Sequence, residues 1–502
     1  MDATDVSTLL LISATLLALD ASAGPALTYA DDENTAFVAP ADVVPLDRNL
    51  IFGAYTPSSG FELWISDGKT AGTHPLKDIR AGFRGSYPAF LTRLNNQVLF
   101  AADDGGTGIE LWRTDGSATG TERVRDIHDG RESSMPTALT RVGDAVYFVA
   151  NDGLHGFELW KSDGTTAHTT MVADVAVGVT GSIPRQLTAV GSRLFFTASD
   201  PKHGTELWVS DNAGTRRLSD INSGATDTRI SQLTALNGQL LFVASDDTHG
   251  AELWRSDGSM QGTTRVADVY PGPEGSGPRY LTELGANIYF QARDAEHGYE
   301  LWKSNGTADG TLMVKDIRTG PDNSLPSHIT SMQSNLYFAA TDGAHGVELW
   351  RSDGTAAGTT LVQDLNVGTA SASPGQLFAA GSILVFAAGD IAHGWELWRL
   401  DHDAGSPKLI CDVRPGEQSS YPGGFVDWSA TVVFTAADDY GNLRLWLMDK
   451  PQSSLSLVGP PLTNRVMPLL SSSIAGTSSD CRGGRWVDRA PSPAAHHQQY
   501  PV

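Results

Sequence analysis

The dipeptide Leu-Trp returns along this chain at a nearly fixed step, at Trp64, Trp112, Trp160, Trp208, Trp254, Trp302, Trp350, Trp398 and Trp446. The step is 48 residues everywhere except between Trp208 and Trp254, where it is 46. Such a period marks an array of equivalent units, each too small to bury a hydrophobic face alone. The short step has a local cause. Most units continue after Trp as Ser-Asp-Gly-Thr-x-x-Gly-Thr, as in Ser352 to Thr359, whereas the fourth reads Ser210-Asp211-Asn212-Ala213-Gly214-Thr215. A deletion confined to one turn leaves its flanking segments intact.

The unit spanning 278–320 predicts four short strands. Tyr280–Leu284 leads through Gly285-Ala286-Asn287 to Ile288–Ala292, which is rich in β-branched and aromatic residues. A second turn, Asp294 to Gly298, leads to Tyr299–Ser304. Asn305-Gly306, a strong hairpin signal, precedes a fourth strand at Leu312–Ile317. No unit shows a helical period. Four antiparallel strands every 48 residues predict an all-β fold, a β-propeller of nine repeat units closing as eight or nine blades. The repeated Trp is expected at the contact between blades. Ala26 to Asp31 is expected to complete the last blade from the N-terminal side.

At each end the repeat pattern stops. Thr8 to Leu19 is a 12-residue apolar run, followed by the small residues Ala21-Ser22-Ala23. It is too short to span a bilayer and predicts a signal peptide over 1–23, although Asp2 and Asp5 stand where such a segment is normally positive. The repeat domain is expected over 24–460. Residues 461–502, rich in Ser, Gly, Pro and His, are expected to be disordered. No other segment predicts a membrane span. The formal net charge of −23 argues against a nucleic-acid partner.

The string Glu-Leu-Trp-x-Ser-Asp-Gly-Thr at 348–355, nearly repeated at 62–68, 110–116, 158–165 and 252–258, resembles the ELWxxDGT repeat family of bacterial exported proteins. The resemblance covers about 420 residues. It implies a secreted or cell-surface location and no general catalytic activity. The ninth unit departs from the motif at Arg444-Leu445-Trp446-Leu447-Met448-Asp449.

Three sets of side chains recur. The first is Glu62, Glu110, Glu158, Glu206, Glu252, Glu300, Glu348 and Glu396, two residues before each Trp and on the same strand face. A glycosidase needs a distinguishable acid and nucleophile, so eight equivalent carboxylates read as structural acceptors of hydrogen bonds. The second set is His155, His203, His249, His297, His345 and His393, each with an aspartate three residues earlier: Asp152, Asp200, Asp246, Asp294, Asp342 and Asp390. These turns are candidate ligand-face residues. The competing reading is a His–Asp hydrogen bond inside each turn, because turns on separate blades do not converge as metal ligands must. The third set, Asp78, Asp126, Asp174, Asp220, Asp268, Asp316, Asp364 and Asp412, closes the fourth strand. Calcium is an alternative ligand for the acidic turns, without the spacing of a known calcium loop; no other cofactor is expected. No Gly-x-Ser-x-Gly elbow, His-Glu-x-x-His or P-loop occurs.

These features predict a monomeric, non-enzymatic binding or scaffold module for glycan or protein partners. A polysaccharide hydrolase or lyase acting at the propeller mouth is the second reading. A calcium-stabilised structural surface protein is the third.

Overall fold

The computed structural model describes residues 37–38, 43–69, 72–402, 405–437, 441, 443–450 and 466–468. They form nine antiparallel sheets, eight of four strands each in chain order and a first whose leading strand is split in two. Blade 6 is representative, with strands Arg279–Leu284, Asn287–Ala292, Glu300–Ser304 and Leu312–Lys315. Its boundaries differ from the sequence expectation by one or two residues at strand ends. In blade 1 the leading strand divides into Phe37–Val38 and Val44–Leu46, both paired with Asn49–Thr56.

Leading strands of neighbouring blades lie against one another, so they form the wall of a central channel. Chain direction then sorts the turns onto two faces. The loops between blades and the Asp-x-x-His-Gly turns share one face. The Ser-Asp-Gly-Thr turns lie on the opposite face.

The repeated Trp sits on the third strand and faces a phenylalanine directly across the sheet: Phe52 pairs with Trp64, Phe290 with Trp302, Phe338 with Trp350 and Phe434 with Trp446. These phenylalanines are fully buried. The Phe–Trp face of each blade packs on the leucine face of the blade before it. Phe100 and Trp112 of blade 2, for example, meet Ile51, Leu63 and Ile65 of blade 1. The same contact joins the ends: Phe52 and Trp64 of blade 1 pack on Val433 and Leu445 of blade 9. Nine apolar contacts therefore close a nine-bladed ring, and the eight-blade alternative is set aside.

Among the described residues, the strand at the outer edge of blade 9 comes from the C-terminal side. It is Val466–Pro468, paired with Trp446, Leu447 and Met448. It lies within the stretch expected to be disordered, so the propeller reaches Pro468 instead of ending at 460. The 15 residues between Lys450 and Val466 give the chain enough length to return to that edge. The proposed closing strand Ala26 to Asp31, the predicted signal segment and the remainder of the tail lie outside the described residues. Among the described residues no helix is long and apolar enough to cross a membrane.

In blade 4 the shortened turn appears as a tight hairpin. Asp211 pairs with Gly214 across Asn212-Ala213, and the guanidinium of Arg216 donates to Asp211 at 2.9 Å.

Candidate ligand and partner site

The eight recurrent glutamates are buried and each accepts hydrogen bonds from the loop that leads to the next blade. Glu110 accepts from the Ile127 amide at 2.8 Å, the Ser134 amide at 2.8 Å and the Ser134 hydroxyl at 2.6 Å. Glu158, Glu252, Glu300 and Glu396 repeat this pattern with Ser182, Ser276, Ser324 and Ser420. Glu62 is held by Ser86, Glu206 by Ser219 and Thr228, and Glu348 by the amides of Leu365 and Ala372. Burial pushes all eight carboxyl groups above their ordinary range, against the hydrogen bonds that favour the ionised form. Glu300 and Glu396 rise to about 7. Their oxygens are occupied by the fold, which leaves none facing a substrate.

Each of the six turn histidines bonds the aspartate of its own turn. Nδ1 of His155 lies 2.7 Å from Asp152, that of His345 2.8 Å from Asp342 and that of His393 2.8 Å from Asp390. His203, His249 and His297 make the same contact with Asp200, Asp246 and Asp294. The bond raises the imidazole pKa of His155, His297, His345 and His393. Burial opposes ionisation of Asp152, Asp200, Asp246, Asp294 and Asp342, but hydrogen bonds from the histidine and from turn amides outweigh it and hold these groups low. The six turns are not brought together. Among the described residues no three His, Cys, Asp or Glu side chains gather as a metal-ion cluster. Aspartates closing the fourth strand cap the inter-blade loop: Asp316 accepts from the Gly320 amide, Asp364 from Gly368 and Asp412 from Gly416.

Two features of the loop face were not read from the sequence. The first is a rim at the channel mouth. Where five of the inter-blade loops enter the leading strand, a residue in the left-handed region hangs on a carbonyl at the start of the third strand of the blade before. Tyr87 bonds Phe61 in this way, Met135 bonds Ile109, Ile183 bonds Phe157, Leu325 bonds Tyr299 and Tyr421 bonds Trp395. A proline follows every one of them. Tyr87 is 53% exposed and Tyr421 67%, and both rings lie beside an aromatic neighbour, Phe61 and Trp395. Phe83, Val177, Val179 and Val367 on the inter-blade loops are also exposed. Only Met260 and Leu312, among the exposed large apolar side chains described, lie toward the opposite face. The apolar surface of this acidic molecule is therefore gathered on one face.

The second feature is a β-bulge in the leading strand of blades 2 to 9. In blades 2 to 8 its residue is left-handed and not glycine: Phe90, Ala138, Gln186, Gln232, Tyr280, His328 and Gln376. Pairing skips at these points, as between Arg279 and Thr282. A bulge re-aims the side chain it carries, and these side chains line the channel wall. The signal was present as a variable position two residues before the recurrent threonine, Thr92, Thr140, Thr188, Thr234, Thr282 and Thr330, but variability alone does not reveal a bulge.

The family model PQQ_2, described as "Outer membrane protein assembly factor BamB", matches residues 196–446, half of the chain. No curated protein matches the sequence. Solved structures similar to this chain include a puromycin hydrolase, at 16% identity over 82% of this chain and 58% of that one, TM-score 0.35. The β-propeller domain of the Trilobed protease from Pyrococcus furiosus shares 14% identity over 62% of this chain and 94% of that one, TM-score 0.34. A prolyl endopeptidase shares 10% over 74% and 55%, TM-score 0.39. This chain thus spans little more than half of the hydrolase and of the endopeptidase.

Proposed function

The chain belongs to the PQQ_2 family, and from that premise we propose that it is a non-enzymatic scaffold of the bacterial envelope that docks protein partners on its loop face. The observation that carries this reading is the one-sided placement of exposed apolar side chains around the mouth, with Tyr87, Ile183, Leu325 and Tyr421 on the rim. Monomeric proteins rarely leave contiguous apolar surface bare, and such patches rimmed by polar groups mark interaction sites. The rim residues stand on left-handed backbone tied to a strand carbonyl, which holds them in place before a partner arrives and lowers the entropy lost on binding. The family description, an outer membrane protein assembly factor, points to a protein partner and to the outer membrane. The engagement of all eight recurrent glutamates in the fold, and the lack of a catalytic motif, speak against a hydrolase.

The reading is tested with a urea-unfolded outer-membrane β-barrel protein diluted into buffer as the probe. The wild-type chain is expected to bind it and slow its aggregation. Tyr87→Ser combined with Tyr421→Ser should weaken that effect, while Met260→Ser on the opposite face should not. Equal activity in all three proteins, or none in the wild type, would overturn the proposal.

A further inference from the structure

The bulge residues of the channel wall are not equivalent in what they do with their polar ends. Gln186 donates its amide to the Ile230 carbonyl of the next blade at 2.6 Å. Gln232 accepts from the Tyr280 amide at 3.0 Å. Both side chains are spent on joining neighbouring blades. The next three positions break the pattern. The Tyr280 hydroxyl, the His328 imidazole and the Gln376 carboxamide make no hydrogen bond to any described residue, and all three residues line one recess.

That recess, about 350 Å³, lies on the wall where blades 6, 7 and 8 meet, and Leu281, Thr282, Ile329, Thr330 and Leu377 complete its surface. The imidazole of His328 stands edge-on to the Tyr280 ring, with centroids 5.9 Å apart and planes at 88°. Gly375 of blade 8 lies beside Nε2 of His328, and Gly423 of blade 9 beside the Gln376 side chain. Left-handed backbone at three non-glycine residues costs about 1–3 kcal/mol each and persists where the surrounding structure imposes it, which is common at ligand sites. Here the recurrent bulge places Tyr280, His328 and Gln376 along one stretch of the wall.

The chemistry of the recess selects a class of ligand. No carboxylate, lysine or arginine lines it. Desolvation against the wall also lowers the His328 pKa, which favours the neutral ring. An ionic ligand would find no counter-charge. What the recess offers is a phenol, an imidazole with one donor and one acceptor, a carboxamide with both, and an aromatic ring beside leucine and isoleucine. Those groups match a ring that carries several hydroxyls on its edge and C–H groups on its face. We propose that the channel wall between blades 6 and 8 is a binding site for a neutral saccharide unit, held by Tyr280, His328 and Gln376. The proposal stands apart from the docking rim, since it rests on other residues and uses another probe.

Saturation-transfer NMR and calorimetry on the full chain test it, with cellobiose, N,N′-diacetylchitobiose and maltotriose as saccharide probes. The neutral dipeptide amide Gly-Gln-NH2 serves as the competing class. At least one saccharide is expected to bind. Tyr280→Phe and Gln376→Ala should each weaken it about tenfold, the loss of one or two hydrogen bonds. Tyr280→Phe removes a single oxygen and keeps the ring, so it remains informative should Gln376→Ala fail to fold. Met260→Ser should bind as the wild type does. No saccharide signal, binding that both wall variants leave unchanged, or a preference for the peptide amide would each overturn the site.

Discussion

Ser324 grips Glu300 twice, its hydroxyl donating to Oε2 at 2.6 Å and its amide to Oε1 at 3.0 Å. Ile317 and Arg318 add two further amide donors. One buried carboxyl group thereby satisfies three amides and a hydroxyl of a loop that has no ladder of its own, and the arrangement recurs around the ring. Glu300→Ala would strand those donors in the interior. It should cost about 2–4 kcal/mol, and Glu300→Gln, which keeps one acceptor oxygen, should cost less. Urea unfolding followed by tryptophan fluorescence measures both; equal stability of all three proteins would contradict the assigned role.

The same carboxylates set a pH dependence. Folded Glu300 and Glu396 hold their protons up to about pH 7, against an ordinary value of 4.5. Between those values the folded state binds more protons than the unfolded chain, so stability falls as pH rises. Raised histidines such as His297 and His393 act in the same direction at their own titration. Aspartates of the turns, held low, contribute stability that is lost only as pH falls below the ordinary carboxylate value of 3.8. The melting temperature should therefore peak at about pH 5 and decline toward pH 8. A double Glu300→Gln, Glu396→Gln variant should decline less steeply. A wild-type melting temperature that climbs from pH 5 to pH 8 would refute the linkage.

Two glycines with similar backbone angles should behave very differently. Gly156 has φ +69°, and a Cβ there would stand 2.5 Å from the Gly181 amide nitrogen and 2.6 Å from the Thr180 carbonyl carbon. Gly191 has φ +61° with nothing within 4 Å. Alanine at 191 meets only the left-handed penalty, about 1 kcal/mol. At 156 it must also push the inter-blade loop off the third strand, so the cost should exceed about 3 kcal/mol. Comparable melting temperatures for the two variants would show that this close approach is not maintained in solution.

What the sequence made legible follows from how many residues carry each signal. Nine Leu-Trp pairs and their turns state the blade and its strand order, because each copy repeats the same alternation. Faces could be assigned too, since turns follow from strand order. The nine-fold closure was not legible, because it depends on the match between Phe52 and Trp64 at one end and Val433 and Leu445 at the other, and a period says nothing about curvature. The last strand, Val466–Pro468, has three residues and no alternation to detect. The channel site was hidden for a different reason. Tyr280, His328 and Gln376 gain meaning only once the bulge places them along one stretch of the wall, and no residue type in them announces a left-handed conformation.

The His–Asp turns make a narrower prediction. The Asp294 carboxylate, 3.0 Å from Nδ1 of His297, is the main cause of that imidazole's raised pKa. The same carboxylate also accepts from the amides of Glu296 and His297. Asp294→Asn should lower the His297 pKa, leave the neighbouring turns unchanged, and reduce stability by about 1 kcal/mol or less because the turn is solvent-facing. NMR titration of the histidine Cε1 protons resolves this. An unaltered titration would mean that the bond does not hold the ring in solution.

The outer edge of blade 9 offers a test of how the ring is finished. Val466, Met467 and Pro468 pair with Met448, Leu447 and Trp446, and beyond Lys450 the chain supplies no other described strand to that sheet. Truncation after Lys450 would leave the strand Leu443–Asp449 as an exposed edge, with unpaired amides and carbonyls beside Trp446. Such an edge is a template for pairing with another chain. The truncated protein should keep its nine-bladed core, since the contacts between blades 1 and 9 use Val433 and Leu445 and not the missing strand. It should, however, show faster amide exchange in residues 443–449 and concentration-dependent association by light scattering. Unchanged protection of those amides in the truncated chain would mean that the 466–468 strand is not the native edge, and that some segment from the N-terminal side covers it instead.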